Sequence, residues 1–355
     1  MGACAAAPIH SPKTANQVTT FTLGRFRFSQ KQASSASAYG LSPCRPKKGS
    51  ASWLRPATTQ KQHDSAGSRI TYNNGPWQNT PSVLKQPIES LERDMQELIE
   101  LQVPDEIQRE ERRGSIGYIH SYTTGSALDG PGLRYVLWTT GCAFRCQYCH
   151  NPDTWHKRNG EQRSVESILK DIAGYERFLR LSGGGVTVSG GEPLIQAGFV
   201  SQILQGCKRM GLHTALDTNG FFGYRLSDSD LAAVDLVLLD IKSWDPETHR
   251  KVTGCEVGPV LAFAQRLSDL CKPAWIRFVL VPGLTDDPAN LHGLARFVSQ
   301  LSNVERVEIL PFHQMGAYKW KERGIAYPLE GVDSPSAAKV KEVIEIFRSY
   351  GCNAC

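Results

Sequence analysis

The sequence predicts an α/β protein built on a mostly parallel sheet. From residue 116 onward, short apolar runs alternate with longer stretches of helical periodicity, the pattern of right-handed βαβ units. Runs such as DLVLLD (235–240) are apolar on both faces, as strands covered on both sides are. Polar or glycine-rich residues also recur just past the C-terminal ends of these runs, where parallel α/β folds gather functional groups.

The runs are IGYIHSY (116–122), LRYVLWTT (133–140), GVTVSG (185–190), HTALDTNG (213–220), DLVLLDIK (235–242), WIRFVLVPG (275–283) and RVEILPFH (306–313). Helices are expected between and after them at 165–181, 196–210, 289–301 and 337–350. The rim clusters are Cys142 onward, Ser189 to Glu192, Asp217 to Gly220, Asp240 to Lys242, and His313. Five such clusters are more than ordinary turn chemistry provides. The glycine triplet at 183–185 reads as a flexible turn.

Upstream, the composition changes. Residues 1–63 hold nine Lys/Arg and no Asp or Glu, are rich in Ser, Thr and Ala, and lack an apolar h-region. That combination predicts a disordered organellar transit peptide, chloroplast and/or mitochondrion, rather than a secretory signal. Residues 64–113 read as a linker with one amphipathic helix, its stripe formed by Leu84, Ile88, Leu91, Met95 and Leu98. The charged PDEIQREERRG (104–114) then leads into a core domain at 114–355. In that domain Lys/Arg and Asp/Glu number 25 each, so the basic pI of about 8.6 is no sign of nucleic-acid binding. No apolar run approaches the ~18 residues of a membrane span. Disulfides are not expected in such compartments, so the ten cysteines read as thiols and ligands.

GCAFRCQYCHNPDTW (141–155) crowds Cys142, Cys146 and Cys149 onto one stretch with spacing Cys-x3-Cys-x2-Cys. Closed thiolate sites take four ligands, and this one stops at three. Three close thiolates suit a cubane iron–sulfur cluster with one open iron. Zinc is the main competitor, with His150 or His156 as fourth ligand, although His150 directly follows Cys149 and joint coordination is awkward. A terminal Cys352-x-x-Cys355 pair reads as incidental at a frayed end.

With Tyr148 before the third cysteine, this motif resembles that of the radical S-adenosylmethionine enzymes. SGGEP (189–193), LDTNG, LLDIK, WIRFVLVPG and EILPFHQMGAYKW extend the likeness, in order, to the glycyl-radical-enzyme activases that act on pyruvate formate-lyase. The resemblance covers about residue 114 to the C-terminus. It implies a partial (β/α)6, TIM-like barrel with a side opening for a loop of another protein. It implies a [4Fe-4S] cluster on Cys142, Cys146 and Cys149, with S-adenosylmethionine on the fourth iron. Tyr148, Cys149, His150, Gly190, Gly191, Asp240, Ile241, Lys242 and His313 would line the cosubstrate site. Asp217, Thr218, Asp240 and the Leu238 main chain would hold a monovalent cation (Na+ or K+), and Asp129 of DGPG would face the substrate peptide. Leu238 departs from the methionine common in relatives.

The implied reaction begins with one electron from a low-potential donor such as ferredoxin or flavodoxin. Cleavage of the sulfonium then yields a 5′-deoxyadenosyl radical, which abstracts hydrogen from a glycine Cα of the partner. A monomer is expected. Another glycyl-radical partner, or a non-catalytic zinc- or cluster-binding module, remains the alternative.

Overall fold

The computed structural model describes residues 105–355. The expected leader and the 84–98 stripe lie outside them. The charged lead-in is helical: α1 (Asp105–Arg113) precedes the first strand. It is docked by its polar side chains. Glu111 accepts from Tyr118 Oη at 2.9 Å and pairs with Lys157 Nζ at 2.7 Å, while Gln202 donates to the Arg113 carbonyl at 2.8 Å. Burial pushes the Glu111 carboxyl up, but Lys157, Tyr118 and Arg158 outweigh it and hold it below its ordinary value.

The strands are β1 (Ile116–Ser126), β2 (Arg134–Thr139), β3 (Glu161–Ser164), β4 (Gly185–Gly190), β5 (His213–Thr218), β6 (Leu236–Asp240), β7 (Ala274–Leu280) and β8 (Val304–Pro311). They form one sheet in the order β3-β1-β2-β4-β5-β6-β7-β8. The six from β2 through β4 to β8 run parallel, which is the expected strand set of a partial barrel. IGYIHSY is not one of them. It pairs antiparallel with β2 and with β3, a polar strand (EQRS) whose composition hid it from sequence reading.

Helices pack outside the sheet. The expected helix at 165–181 is two, α2 (Val165–Ala173) and α3 (Glu176–Leu181), broken where Tyr175 turns its ring onto Tyr135 at 5.7 Å. Next come α4 (Ala197–Arg209) and α5 (Asp228–Ala232). α6 (Pro246–Thr253) and α7 (Gly258–Asp269) were not anticipated. Both carry proline in the first turn, where its missing N–H costs nothing, and Asp245 caps α6 by accepting from Thr248 N. α8 (Pro288–Gln300), α9 (Ala317–Glu322) and α10 (Ala337–Ser349) complete the set. Successive residues of β6 divide between two cores. Val237 and Leu239 join the large one beneath the helices, whereas Leu236 and Leu238 pack with Ala215 and Trp275.

Two readings change. The glycine triplet is a packing device, because a Cβ on Gly184 would sit 1.8 Å from the Leu133 carbonyl oxygen and one on Gly185 2.0 Å from that of His213. The C-terminus is not frayed. Val307 N donates to Asn353 O and Ile309 N to Cys355 O, each at 2.9 Å, so residues 353–355 lie along β8.

Arg134 is fully buried at the start of β2. It donates to Thr187 Oγ1 at 2.9 Å and Val186 O at 2.6 Å, and Thr187 in turn donates to the Asp129 carbonyl at 2.6 Å. Burial lowers its pKa to about 10. Arg134→Ala is expected to cost about 3 kcal/mol, from a cavity and stranded acceptors. Denaturant unfolding of the purified variant measures the loss.

Candidate functional site

A cavity of about 940 Å³ opens at the C-terminal ends of the parallel strands. The 141–155 loop forms one wall. It is pinned by main chain on both sides: Gly141 N donates to Thr154 O at 2.7 Å, Cys142 N to Trp155 O at 3.0 Å, Arg145 N to Thr253 O at 2.8 Å and Gln147 N to Val252 O at 3.0 Å. Phe144 is buried beneath it, edge-on to Phe221 and His249 at 5.5 Å each. Such anchoring fixes Cys142, Cys146 and Cys149 without using their sulfurs. All three thiols are free, and all three line the cavity. Burial pushes each one up, Cys146 to about 12 and Cys142 well above its ordinary value. They stay protonated until a metal displaces the protons.

The opposite wall comes from strand ends. Ser189 and Gly190 close β4 and Gly191 follows it, Asp217 and Thr218 close β5, and Asp240 closes β6 with Lys242 two residues on. Gly190 has φ +134°, and a Cβ there would lie 2.1 Å from the Thr139 carbonyl oxygen. Only glycine fits that conformation against β2. Tyr148, His150, His313 and Asp129 also line the cavity. The His150 and His313 rings lie 4.4 Å apart, and Asp129 accepts from Ser126 Oγ. Two expected residues do not present side chains to it: Ile241 and Leu238 are fully buried in apolar clusters.

Charge inside the cavity is balanced in pairs. Lys242 Nζ lies 2.8 Å from Asp240, and Arg277 reaches Asp217 at 3.3 Å and Glu308 at 3.0 Å. Burial lowers Lys242, but the adjacent Asp240 carboxylate outweighs it and holds Lys242 above its ordinary value, so the ammonium persists. Asp217 is raised by burial against the pull of Arg277. Arg277 also donates to the Leu128 carbonyl at 2.7 Å, tying β7 to the DGPG loop.

Sequence reading assigned no role to Arg277, Glu308, Glu192, Trp155, Lys319 or Trp320. Glu192, fully buried behind the glycines, accepts from Thr218 Oγ1 at 2.7 Å, Asn219 N at 2.8 Å and Leu194 N at 2.9 Å. It joins the ends of β4 and β5, and burial raises it to about 7 against those hydrogen bonds. Trp320 donates to the Cys149 carbonyl at 2.8 Å, and Lys319 to Asn151 Oδ1 at 2.8 Å, so α9 clamps the cysteine loop. Each of these residues sits inside a motif quoted above: Trp155 in GCAFRCQYCHNPDTW, Glu192 in SGGEP, Arg277 in WIRFVLVPG, and Glu308, Lys319 and Trp320 in EILPFHQMGAYKW. Recognising what they do required knowing which strand ends meet.

Residues 136–294 match the model of the Radical SAM superfamily. Pyruvate formate-lyase-activating enzyme of Listeria monocytogenes is 46% identical over 226 residues, 62% of this chain and 91% of that protein. Pyruvate formate-lyase 1-activating enzyme of Escherichia coli is 42% identical over 238 residues, 66% of this chain and 97% of that protein. A crystal structure of a domain of pyruvate-formate lyase-activating enzyme from Bacteroides vulgatus is 27% identical, covering 49% of this chain and 98% of that one with TM-score 0.41. The chain belongs to the pyruvate formate-lyase-activating enzyme family of the radical SAM superfamily.

Proposed function

We propose that the chain is an oxidoreductase that activates pyruvate formate-lyase by generating a radical on one of its glycines. The observation that carries this reading is the convergence of Cys142, Cys146 and Cys149 with Gly190, Gly191, Asp240 and Lys242 on one cavity. Those residues fit the groups the family uses. Tyr148 Oη and Trp155 Nε1 are buried there with no hydrogen-bond partner, as expected of groups that face a bound polar ligand.

When bound, a [4Fe-4S] cluster and S-adenosylmethionine supply one-electron cleavage of the sulfonium and the hydrogen-abstracting 5′-deoxyadenosyl radical. Cys142, Cys146 and Cys149 are the three cluster ligands in this reading. Backbone at Gly190 and Gly191 admits the methionine amino group closely. Lys242 and Asp240 orient the cosubstrate's charged ends, with His150 and His313 beside it. Asp217, Thr218, Asp240 and the Leu238 carbonyl are the ligands proposed for a monovalent cation. Arg277 competes with such an ion for Asp217, and Lys242 for Asp240. The walls hold the target glycine close and exclude water, as a reactive radical requires. Asp129, tied to β7 through the neighbouring Leu128 carbonyl, faces the incoming peptide.

The remaining parts of the proposal rest on the composition of the leader and on what the family implies. The acid-free 1–63 segment directs the protein to a chloroplast and/or mitochondrion, where ferredoxin or flavodoxin supplies the electron. The enzyme acts as a monomer on its protein substrate, without nucleic acid or membrane. Among the described residues no helix is long and apolar enough to cross a membrane. Removing residues 1–63 is expected to leave the specific activity of the purified enzyme within about twofold; loss of activity would count against a leader. The function itself is tested anaerobically with reductant and S-adenosylmethionine. Methionine and 5′-deoxyadenosine are expected in amounts that rise with added pyruvate formate-lyase, and their absence from iron-loaded protein would refute the reading.

A further inference from the structure

Trp155 closes the cysteine loop, six residues past Cys149. Its carbonyl accepts from Cys142 N at 3.0 Å, which brings the two ends of the loop together. The ring is held on two sides, with the Arg145 guanidinium carbon 5.0 Å from its centroid and Trp320 edge-on at 5.1 Å. Trp320 spends its own N–H on the Cys149 carbonyl. The Trp155 N–H, by contrast, is buried and unpartnered, on a residue that lines the same cavity as the three thiols. A buried donor left without an acceptor is costly, so its presence here points to a partner that binds in the cavity.

We infer that the Trp155 indole N–H donates a hydrogen bond to sulfur at the Cys149 corner of the cluster and raises the cluster's reduction potential. The direction follows from charge. Reduction adds negative charge to the cluster and its sulfurs, and an N–H aimed at sulfur stabilises the reduced form more than the oxidised one. Arg145 and Trp320 are positioning residues in this scheme, since they hold the indole in place.

The inference rests on the reading that the cysteines hold an iron–sulfur cluster. Failure of the unsubstituted protein to bind iron would sink that reading, whereas the following outcomes judge the inference alone. Trp155→Phe keeps the ring contacts and removes the donor. In a potential-controlled titration followed by electron paramagnetic resonance, its reduced-to-oxidised ratio at fixed potential is expected to fall about tenfold, a negative shift of ~59 mV for a one-electron couple. An unchanged ratio at full cluster content would overturn the inference. Should the variant fail to assemble a cluster, the unsubstituted protein decides. With 15N-indole tryptophan, the reduced cluster is expected to show a 15N hyperfine coupling, and no coupling would overturn the inference equally.

Discussion

Cys146→Ala is expected to abolish cluster binding and activation of pyruvate formate-lyase together, while the fold survives. The loop does not depend on the Cys146 sulfur for its shape. Its neighbours Arg145 and Gln147 are held by main-chain bonds to Thr253 and Val252 at 2.8 and 3.0 Å, and the Cys146 carbonyl accepts from Cys149 N at 3.0 Å. Truncation therefore removes a ligand and little else. With three thiolates already the minimum for a site-differentiated cluster, two do not retain it. Iron content after anaerobic reconstitution is expected to drop to background, with activity below detection and circular dichroism unchanged. Wild-type iron and activity in this variant would sink the ligand assignment.

The second large effect is on stability and belongs to Gly190→Ala. The new methyl would meet the Thr139 carbonyl oxygen at 2.1 Å on backbone with φ +134°, so both sterics and conformation oppose it. Overpacking of this kind costs about 1–3 kcal/mol and the strained backbone about another 1–3. Together they consume a large part of a typical 5–15 kcal/mol stability and lower Tm by roughly 5–15 °C. Gly183→Ala is the control, because its Cβ meets nothing within 4 Å and only φ +63° opposes it. A loss of about 1–2 kcal/mol is expected there. Equal losses in the two variants, measured by thermal unfolding, would show that the contact with β2 is not what requires glycine at 190.

The parallel strands were legible because most are strongly apolar, β6 on both faces, and end in a polar cluster. That pattern alone brings Cys142, Ser189, Asp217, Asp240 and His313 to one rim. The polar strand β3 was not legible, since EQRS carries none of the apolar signal that marks a strand. Helix α1 was hidden for a related reason: DEIQREERR has almost no apolar stripe and docks through Glu111 and the Arg113 carbonyl. The second layer of the site escaped for a different cause. Glu192, Arg277 and Trp320 act by bridging segments that are distant in sequence, and spacing alone does not report which segments meet. The C-terminal residues likewise looked loose until Asn353 and Cys355 were seen bonded along β8.

Electron paramagnetic resonance on an anaerobic mixture of reconstituted protein, strong reductant, S-adenosylmethionine and purified pyruvate formate-lyase tests the proposed activity most directly. A persistent glycyl-radical doublet that requires S-adenosylmethionine is the predicted result. Absence of the doublet, from protein with full cluster occupancy and a partner that another activase does convert, would contradict it.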